Sequence, residues 1–523
     1  MATFRTSSDT LVTSRPAAPS QSPAEVDMQH AFLAPDSRAA TEVELADLDT
    51  APPVSPKVLD VSTKASDETA FEDNHESVTV VRRRGRFRLK HQSQYENSLL
   101  AGVGYLELAN AADFAANVWN QVPVPKFAAA LMGVGATCAL GMVFVAMQDF
   151  RLGLRNVKLL RAERVRLQDS LRQFQPQQEI TKYLSSRLAV NTRELGTEIV
   201  DRIVMDVLMG FGSMLVGVGT YMAIGGANRR VFLASNLLSG YIGNGMAAMF
   251  GLINAVWSVF LLHRFQQQLN AIRSSYPNDD IKRRLHQRVR RFQWHSIINA
   301  INGLVAGAAS MVTAERWWGY VVLIPCIISL IVVNFFWRKK LGYDRPMFVE
   351  TPEMTCESRF LVEDLQLVIS MQHHLAEGQP ALPGTVVDWT SLESVLTFIK
   401  NQGMLENYSK SLIQNKHTRR LLSESSLSPT PATEITLSVN TILVLSSQSS
   451  RHVTILKDHT RRFLEHGGHQ FFVYRERHLL EVLSFSIWQD QISHFACTKA
   501  ESSSRSDSNY PLPSWQLDQG CYT

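Results

Sequence analysis

Five apolar segments dominate the middle of this chain and constrain its fold more than any other feature. They cover residues 127–147, 203–225, 231–262, 296–314 and 317–337. Each is about 19 residues or longer, which is the length that a helix needs to cross a hydrocarbon layer of roughly 30 Å. The sequence therefore predicts an all-α fold, a polytopic membrane helix bundle with five spanning helices, or six if one further segment crosses.

Polar flanks enclose this predicted transmembrane domain, residues 127–337. Residues 1–95 are rich in proline and poor in aromatic residues. Such a stretch buries too little apolar surface to offset its chain entropy, so we expect a disordered tail. Within it, residues 82–90 form a basic cluster that is suited to contact with anionic lipid. Residues 338–523 are expected to form a partly helical cytoplasmic region.

Residues 99–120 allow two interpretations. Their polar residues share one face of a helix: Glu107, Asn110, Asp113 and Asn117. Two acids at the centre of a bilayer would cost about 5–7 kcal/mol, which favours an amphipathic helix in the interface or against the bundle. The alternative is a sixth spanning helix whose acids face a polar seam.

The distribution of Lys and Arg predicts the orientation. Residues 148–202, residues 263–295 and the segment after residue 337 are rich in both, whereas the short connections on the other side carry Arg229, Arg230 and Arg316. The positive-inside rule therefore places both long loops and the C-terminus in the cytoplasm. With five spans the basic cluster would lie outside, contrary to the rule, whereas a sixth span would place it inside.

The second long loop has the pattern of a basic amphipathic helix. Its apolar face consists of Ile281, Leu285, Val289 and Phe292. Its basic face consists of Lys282, Arg283, Arg284, Arg288 and Arg291. This pattern predicts contact with anionic lipid headgroups, although positive-inside topology alone would explain the same charges.

Small residues and amides mark the apolar segments. The small residues Gly243, Ala247, Gly251, Gly303 and Gly307 form smooth faces. Such faces let helix backbones approach closely, so we expect tight helix packing and a surface for homo- or hetero-oligomers. The amides are Asn244, Asn254, Asn299, Asn302 and Asn334. Amides usually link helices by hydrogen bonds, and the alternative is that these line a polar pathway.

No catalytic motif is present. The sequence contains no G-x-x-x-x-G-K-[ST] loop, H-E-x-x-H helix or G-x-S-x-G elbow. The five cysteines show no paired spacing. We therefore expect no enzyme activity, no metal, no cofactor and no nucleic-acid partner.

Two stretches carry a resemblance to a known group. Residues 119–127 read WNQVPVPKF and residues 149–160 read DFRLGLRNVKLL. Together they resemble uncharacterised multi-pass membrane proteins of filamentous fungi, over roughly residues 99–346. The resemblance implies an integral membrane location and no activity. The function predicted from the sequence is a non-enzymatic membrane scaffold that contacts anionic lipid or protein partners, and the alternative is a transporter or channel subunit.

Overall fold

Long helices make up most of this computed structural model. The structure describes residues 77–83, 86–90, 94–97, 102–119, 124–174, 178–275, 279–348, 359–376, 388, 391–424 and 434–503. Residues 1–76, which carry most of the predicted disordered tail, lie outside the described residues. All described residues belong to one compact unit, Ser62–Thr523.

The N-terminal part combines short strands with a broken helix. The strands are β1 (Ser77–Arg83), β2 (Arg86–Leu89) and β3 (Gln94–Tyr95). The broken helix consists of α1 (Val103–Asn110), a 3₁₀ turn (Ala111–Asp113) and α2 (Phe114–Val118).

Five continuous helical stretches follow, and each is long and apolar enough to cross a membrane. Their bounds are Lys126–Gln173, Ile180–Ala223, Arg229–Ser274, Asp280–Thr313 and Gly319–Leu341. These stretches contain the five predicted apolar segments, so the all-α bundle with five candidate spanning helices is confirmed. Most of them extend well beyond the predicted spans.

Within these stretches, π-helical segments separate regular helices. The regular helices are α3 (Lys126–Gln173), α4 (Gln178–Thr197), α5 (Met205–Ala223), α6 (Arg229–Asn236), α7 (Asn244–Ser275), α8 (Asp279–Thr313) and α9 (Gly319–Phe336). The π-helical segments are Glu198–Val204, Leu237–Gly243 and Trp337–Leu341. The second of these lies where glycines weaken the predicted third span, as expected for a helix too long to cross straight.

The C-terminal region is a compact helical layer. Its elements are β4 (Arg345–Pro346), α10 (Arg359–Ala376), α11 (Leu392–Asn401), α12 (Leu405–Gln414), α13 (Lys416–Glu424), β5 (Glu434–Ser438), α14 (Val439–Ser447), α15 (Ser450–Phe463), a π-helical turn (Leu464–Gly468) and α16 (His469–Ser503).

Two small sheets join the N-terminal strands to the C-terminal region. β1 pairs antiparallel with both β2 and β5, and Ser77 lies opposite Ser438. β3 pairs antiparallel with β4, and Tyr95 lies opposite Arg345. The prediction of a disordered tail is therefore wrong for residues 77–83, 86–89 and 94–95, which include most of the basic cluster. The alternating valines of β1 are buried, and their partners come from the distant C-terminal region.

The broken helix of α1 and α2 packs against the bundle with its polar face inward, whereas Tyr105, Leu108 and Phe114 are exposed. A Cβ on Gly104 would lie 2.6 Å from the backbone nitrogen of Ile331, and one on Gly135 would lie 2.4 Å from the carbonyl oxygen of Ala112. The segment therefore packs tightly between α9 and α3. Of the two placements that the sequence favoured, in the interface or against the bundle, the structure has the second, because the polar side chains find partners within the protein.

The largest apolar core lies where α7 and α8 meet the C-terminal region. The predicted apolar face of the second loop, including Leu285 and Phe292, is buried in this core together with Leu365, Leu396 and Phe472. This face therefore packs on protein instead of lipid, and α8 continues without a break into the fourth apolar segment.

The predicted small-residue faces divide between two contacts. A Cβ on Gly251 would lie 2.4 Å from the carbonyl oxygen of Gly303, and one on Gly307 would lie 2.9 Å from Ala248 Cα. These glycines lie where α7 and α8 approach most closely. Gly243 instead faces Val216 of α5, and Ala247 packs in a cluster with residues of α1 and α5.

Candidate functional site

Arg202 lies at the centre of a buried ion cluster. It is held by the π-helical segment Glu198–Val204 and is 1% exposed. Its guanidinium contacts Asp149 Oδ1 at 3.2 Å and Glu198 Oε2 at 2.9 Å. A Cβ on Gly153 would lie 2.8 Å from Arg202 Cδ, so the absence of a side chain at residue 153 makes room for the arginine.

The N-terminal strand β3 reaches this cluster. Tyr95 Oη donates to Glu198 Oε1 at 2.8 Å. Asn156 Nδ2 donates to Glu198 Oε2 at 3.2 Å and to the carbonyl oxygen of Glu96 at 2.7 Å. The cluster therefore links three parts of the chain: strand β3, helix α3 and the π-helical segment.

Two further acids, Asp201 and Asp206, lie near Arg202 in the sequence. Neither carboxylate oxygen of Asp206 has a hydrogen-bond partner among the described residues, and the same holds for Asp201 Oδ1. Buried polar groups are almost always hydrogen-bonded, and buried charges are normally paired. These carboxyl groups therefore lack the partners that would stabilise their charged form. Acids at the edge of an apolar helix often have a functional role, and π-helical segments frequently lie at functional sites.

A cavity of about 50 Å³ lies beside the π-helical segment, at the beginning of α1. Its polar and charged lining consists of Asn97, Thr197, Glu198, Asp201, Arg202, His295, Asn299 and Asn334. A second cavity of about 10 Å³ shares Thr197, Asp201, His295 and Asn299 with the first. The two cavities therefore have part of their polar lining in common.

Buried hydrogen bonds follow α1 and α2 away from this cavity. Ser310 Oγ donates to Glu107 Oε1 at 2.7 Å, and Ser213 Oγ donates to Asn110 Oδ1 at 2.9 Å. Tyr320 Oη donates to Asp113 Oδ1 at 2.7 Å. These three pairs constitute the polar seam, and they connect α1 and the 3₁₀ turn with α8, α5 and α9.

The predicted asparagine pathway is only partly assembled. Asn299 and Asn334 line the cavity, and Asn299 Nδ2 donates to Asn254 Oδ1 at 3.0 Å. Asn244 contacts Thr313 at 3.2 Å. Asn302 contacts Ser329 at 2.7 Å, so it links α8 to α9. The amides thus connect helices, and two of them also face the cavity.

The predicted lipid-contact residues separate into buried and exposed groups. Arg288 is buried and donates to the carbonyl oxygen of Leu341 at 2.7 Å, so it is not available to a headgroup. Arg284 pairs with Glu476 at 2.7 Å. Arg283 and Arg291 are exposed, and Lys282 is half-buried. The prediction is therefore wrong for Arg288, because the basic face packs partly against α16 and the Trp337–Leu341 segment.

A second ion cluster, the Arg345 clamp, fastens the C-terminal region to the long helices. Arg345 Nη2 contacts Glu163 Oε2 at 2.6 Å and Glu194 Oε2 at 2.5 Å. Tyr343 Oη donates to Glu194 at 2.7 Å and to Glu481 at 3.0 Å. Arg345 and the glutamates therefore neutralise each other, and burying either charge without the other would be costly.

Electrostatics fix the charge state of the clamp. Burial opposes a charge on Arg345, but the carboxylates of Glu163 and Glu194 outweigh it and raise the pKa of Arg345 well above its ordinary value. Burial, then the charges of Glu194 and Glu481, raises the pKa of Tyr343, which stays a neutral donor. Burial, then the charge of Arg345, lowers the pKa of His478 well below its ordinary value, so the imidazole is neutral at pH 7.

Sequence reasoning missed both ion clusters. The arginines of the long loops predicted the orientation, and the acids between them entered no prediction. Glu163, Glu194 and Glu198 lie among those arginines, and each is buried. The available signal was a set of acids at helical spacing within a basic loop.

Comparisons with family models, curated proteins and solved structures find no match. The resemblance to fungal membrane proteins therefore stays a prediction. Among the described residues, no group of three or more His, Cys, Asp and Glu side chains could hold a metal ion.

Replacing Arg345 by methionine should destabilise the protein strongly, because it removes the cation that contacts two buried carboxylates most closely and leaves Glu163 only the longer pair with Arg187 at 3.6 Å. We expect a loss of about 3–5 kcal/mol in the free energy of unfolding, measured by thermal or denaturant unfolding in detergent. As a control, Arg461→Met removes an exposed pair with Glu465 and should cost about 0–1 kcal/mol. Adding Glu163→Gln and Glu194→Gln to Arg345→Met should restore part of the loss. Equal effects of the two arginine variants would contradict the clamp.

Proposed function

We propose that this chain is a multi-pass integral membrane protein in which a polar seam between six crossing segments carries a small cation. An apolar outer surface supports the membrane location. Val134, Phe144, Val256 and Val321 come from three of the five long stretches, and their side chains are 62–69% exposed. A water-soluble protein rarely exposes so much contiguous apolar surface.

The strand pairings support a sixth crossing. β1 pairs with β5 and β3 with β4, so residues 77–95 and the C-terminal region lie on the same side of any membrane. An odd number of crossings would separate them. Gly102 lies against Asn334 near the end of α9, and Asn117 donates to Tyr320 near its beginning. The broken helix therefore runs antiparallel to α9 along nearly its full length.

The buried polar face of this broken helix is the observation that carries the transport proposal. A 3₁₀ turn within a longer helix often marks a functional hinge. Transporters build their ion sites from discontinuous helices. Here the interruption lies at Ala111–Asp113, two acids lie on the segment, and its beginning faces the cavity. This arrangement supports movement of a positively charged ion along the seam.

A second function, binding of anionic lipid by a membrane scaffold, has its own supporting observation. Five exposed basic residues form a basic collar: Arg290 and Arg291 within α8, and Arg338, Lys339 and Lys340 in the π-helical segment that follows α9. The two groups are neighbours, because Arg288 of α8 donates to the carbonyl oxygens of Lys340 and Leu341. Such a collar attracts anionic headgroups at about 1 kcal/mol per basic residue.

Six crossings predict that both chain ends lie on the same side. An epitope tag within residues 1–76 and another after Asp518 should show the same protease accessibility in sealed membrane vesicles. A tag inserted after Gly226, in the short connection between α5 and α6, should show the opposite accessibility and serves as the control. Opposite accessibility of the two end tags would contradict the sixth crossing.

Transport predicts cation flux into liposomes that contain the purified protein, measured with an ion-sensitive dye. Glu107→Gln should lower this flux by at least about tenfold, since a carboxylate that stabilises a passing cation by about 1.4 kcal/mol is lost. Gln keeps an oxygen that can accept from Ser310. Thr137→Val, which changes a polar pair on the exposed surface of α3, should leave the flux unchanged. Equal flux in the Glu107→Gln and wild-type proteins would contradict transport along the seam.

Lipid binding predicts that an anionic phospholipid added to detergent micelles raises the melting temperature more than a zwitterionic one does. Replacing Arg290, Arg291 and Lys339 by glutamine should abolish this difference. Replacing the exposed Arg229 and Arg230 at the opposite end of the bundle is the control and should preserve it. A collar variant that retains the full response would exclude specific lipid contact at this surface.

A further inference from the structure

We propose that the cavity beside the π-helical segment binds one small monovalent inorganic cation, held by the carboxylate of Asp201 and the hydroxyl of Thr197. Asparagine side chains in the lining supply further oxygens. The inference deepens the proposed transport by naming the ion, and it rests on that function for the role of the site. Binding itself can be measured in protein that does not transport.

The charges around the cavity leave Asp201 without a counter-ion. Arg202 contacts Asp149 and Glu198. Arg193, the other arginine near Asp201, pairs with Glu481 at 2.6 Å. The indole of Trp257 lies near Asp201, but it carries no charge and its N–H has no hydrogen-bond partner among the described residues. One bound monovalent cation would balance the carboxylate.

Unpartnered oxygens face the same space. Thr197 is 8% exposed and lines both cavities, yet its Oγ1 has no hydrogen-bond partner among the described residues. Asp201 Oδ1 is also buried and unpartnered. The two residues are four positions apart, at the junction of α4 with the π-helical segment, so their side chains lie on one side of the helix. Because buried polar atoms normally have partners, these two oxygens indicate an occupant.

The dimensions and donors of the cavity suit an alkali-metal ion. A single water needs roughly 10–15 Å³ of such space, so about 50 Å³ accommodates an ion with a few waters. Carboxylate, hydroxyl and amide oxygens are hard ligands that prefer hard cations. No described group of three or more His, Cys, Asp and Glu side chains could hold a metal ion. A single uncompensated carboxylate therefore favours a monovalent cation over a divalent one.

The test compares melting temperatures of the full-length protein in detergent, in sodium chloride and in choline chloride at equal ionic strength. A ligand that binds only the folded state raises the melting temperature with the logarithm of its concentration. We expect such a rise in sodium and none in choline. Asp201→Asn should abolish the sodium response and should melt higher than the wild-type protein in choline, because an uncompensated buried charge is removed. Asp169→Asn makes the same chemical change at an exposed residue and should keep the wild-type response.

Thr197→Val provides a second, nearly isosteric variant in case Asp201→Asn does not fold. It should weaken the apparent sodium affinity several-fold while the protein stays folded. The site is overturned if sodium and choline give equal melting temperatures, or if both variants keep the full sodium response. It is also overturned if lowering the pH stabilises the protein and sodium does not, since the occupant is then a proton. Sodium binding without flux would refute only the transport proposal, and cation flux without sodium binding would refute only this site.

Discussion

Pairing of buried charges is the constraint on which the rest of the structure depends. Arg345 and Arg202 are both almost fully buried, and each contacts at least one carboxylate from a distant part of the chain. A buried charge without a partner costs several kcal/mol, so the elements that carry these side chains have few alternative positions. The Arg345 clamp holds the C-terminal region against α3 and α4. The Arg202 cluster holds β3 against the π-helical segment. The Arg345 clamp and the Arg202 cluster both lie beyond the apolar segments or at their ends.

Local patterns predicted the long helices, because the length of an apolar run is visible in a short window. The five apolar segments, the glycine contact between α7 and α8 and the continuation of α3 beyond its apolar part all have local signals. The position of the broken helix against the bundle had no such local signal. The cost assigned to Glu107 and Asp113 assumed lipid as the surrounding medium, whereas Ser310 and Tyr320 supply hydrogen bonds inside the bundle. Its partners lie far away in the sequence.

The candidate site was only partly visible in the sequence for the same reason. Asn299 and Asn334 were selected and do line the cavity, but Thr197, Asp201 and Arg202 lie just before the apolar run and counted as loop residues. The basic face of α8 was recognised correctly as a pattern. Its partners in α16, such as Glu476, could not be identified without the fold. Sequence periodicity shows that a helix has two faces, but it does not show what either face contacts.

The pairing of β1 with β5 has a consequence for synthesis of the protein. A ribosome makes the chain from its N-terminus, so β1 emerges long before the strand that completes its sheet. During this time the bundle helices are made, while one edge of β1 lacks its final partner and the valines that β5 will cover stay exposed. Exposed strand edges of this kind promote wrong pairing between chains. The edge of β1 is therefore covered only when the later region that contains β5 has been made. A chain truncated before Glu434 would present an open strand edge to other nascent chains.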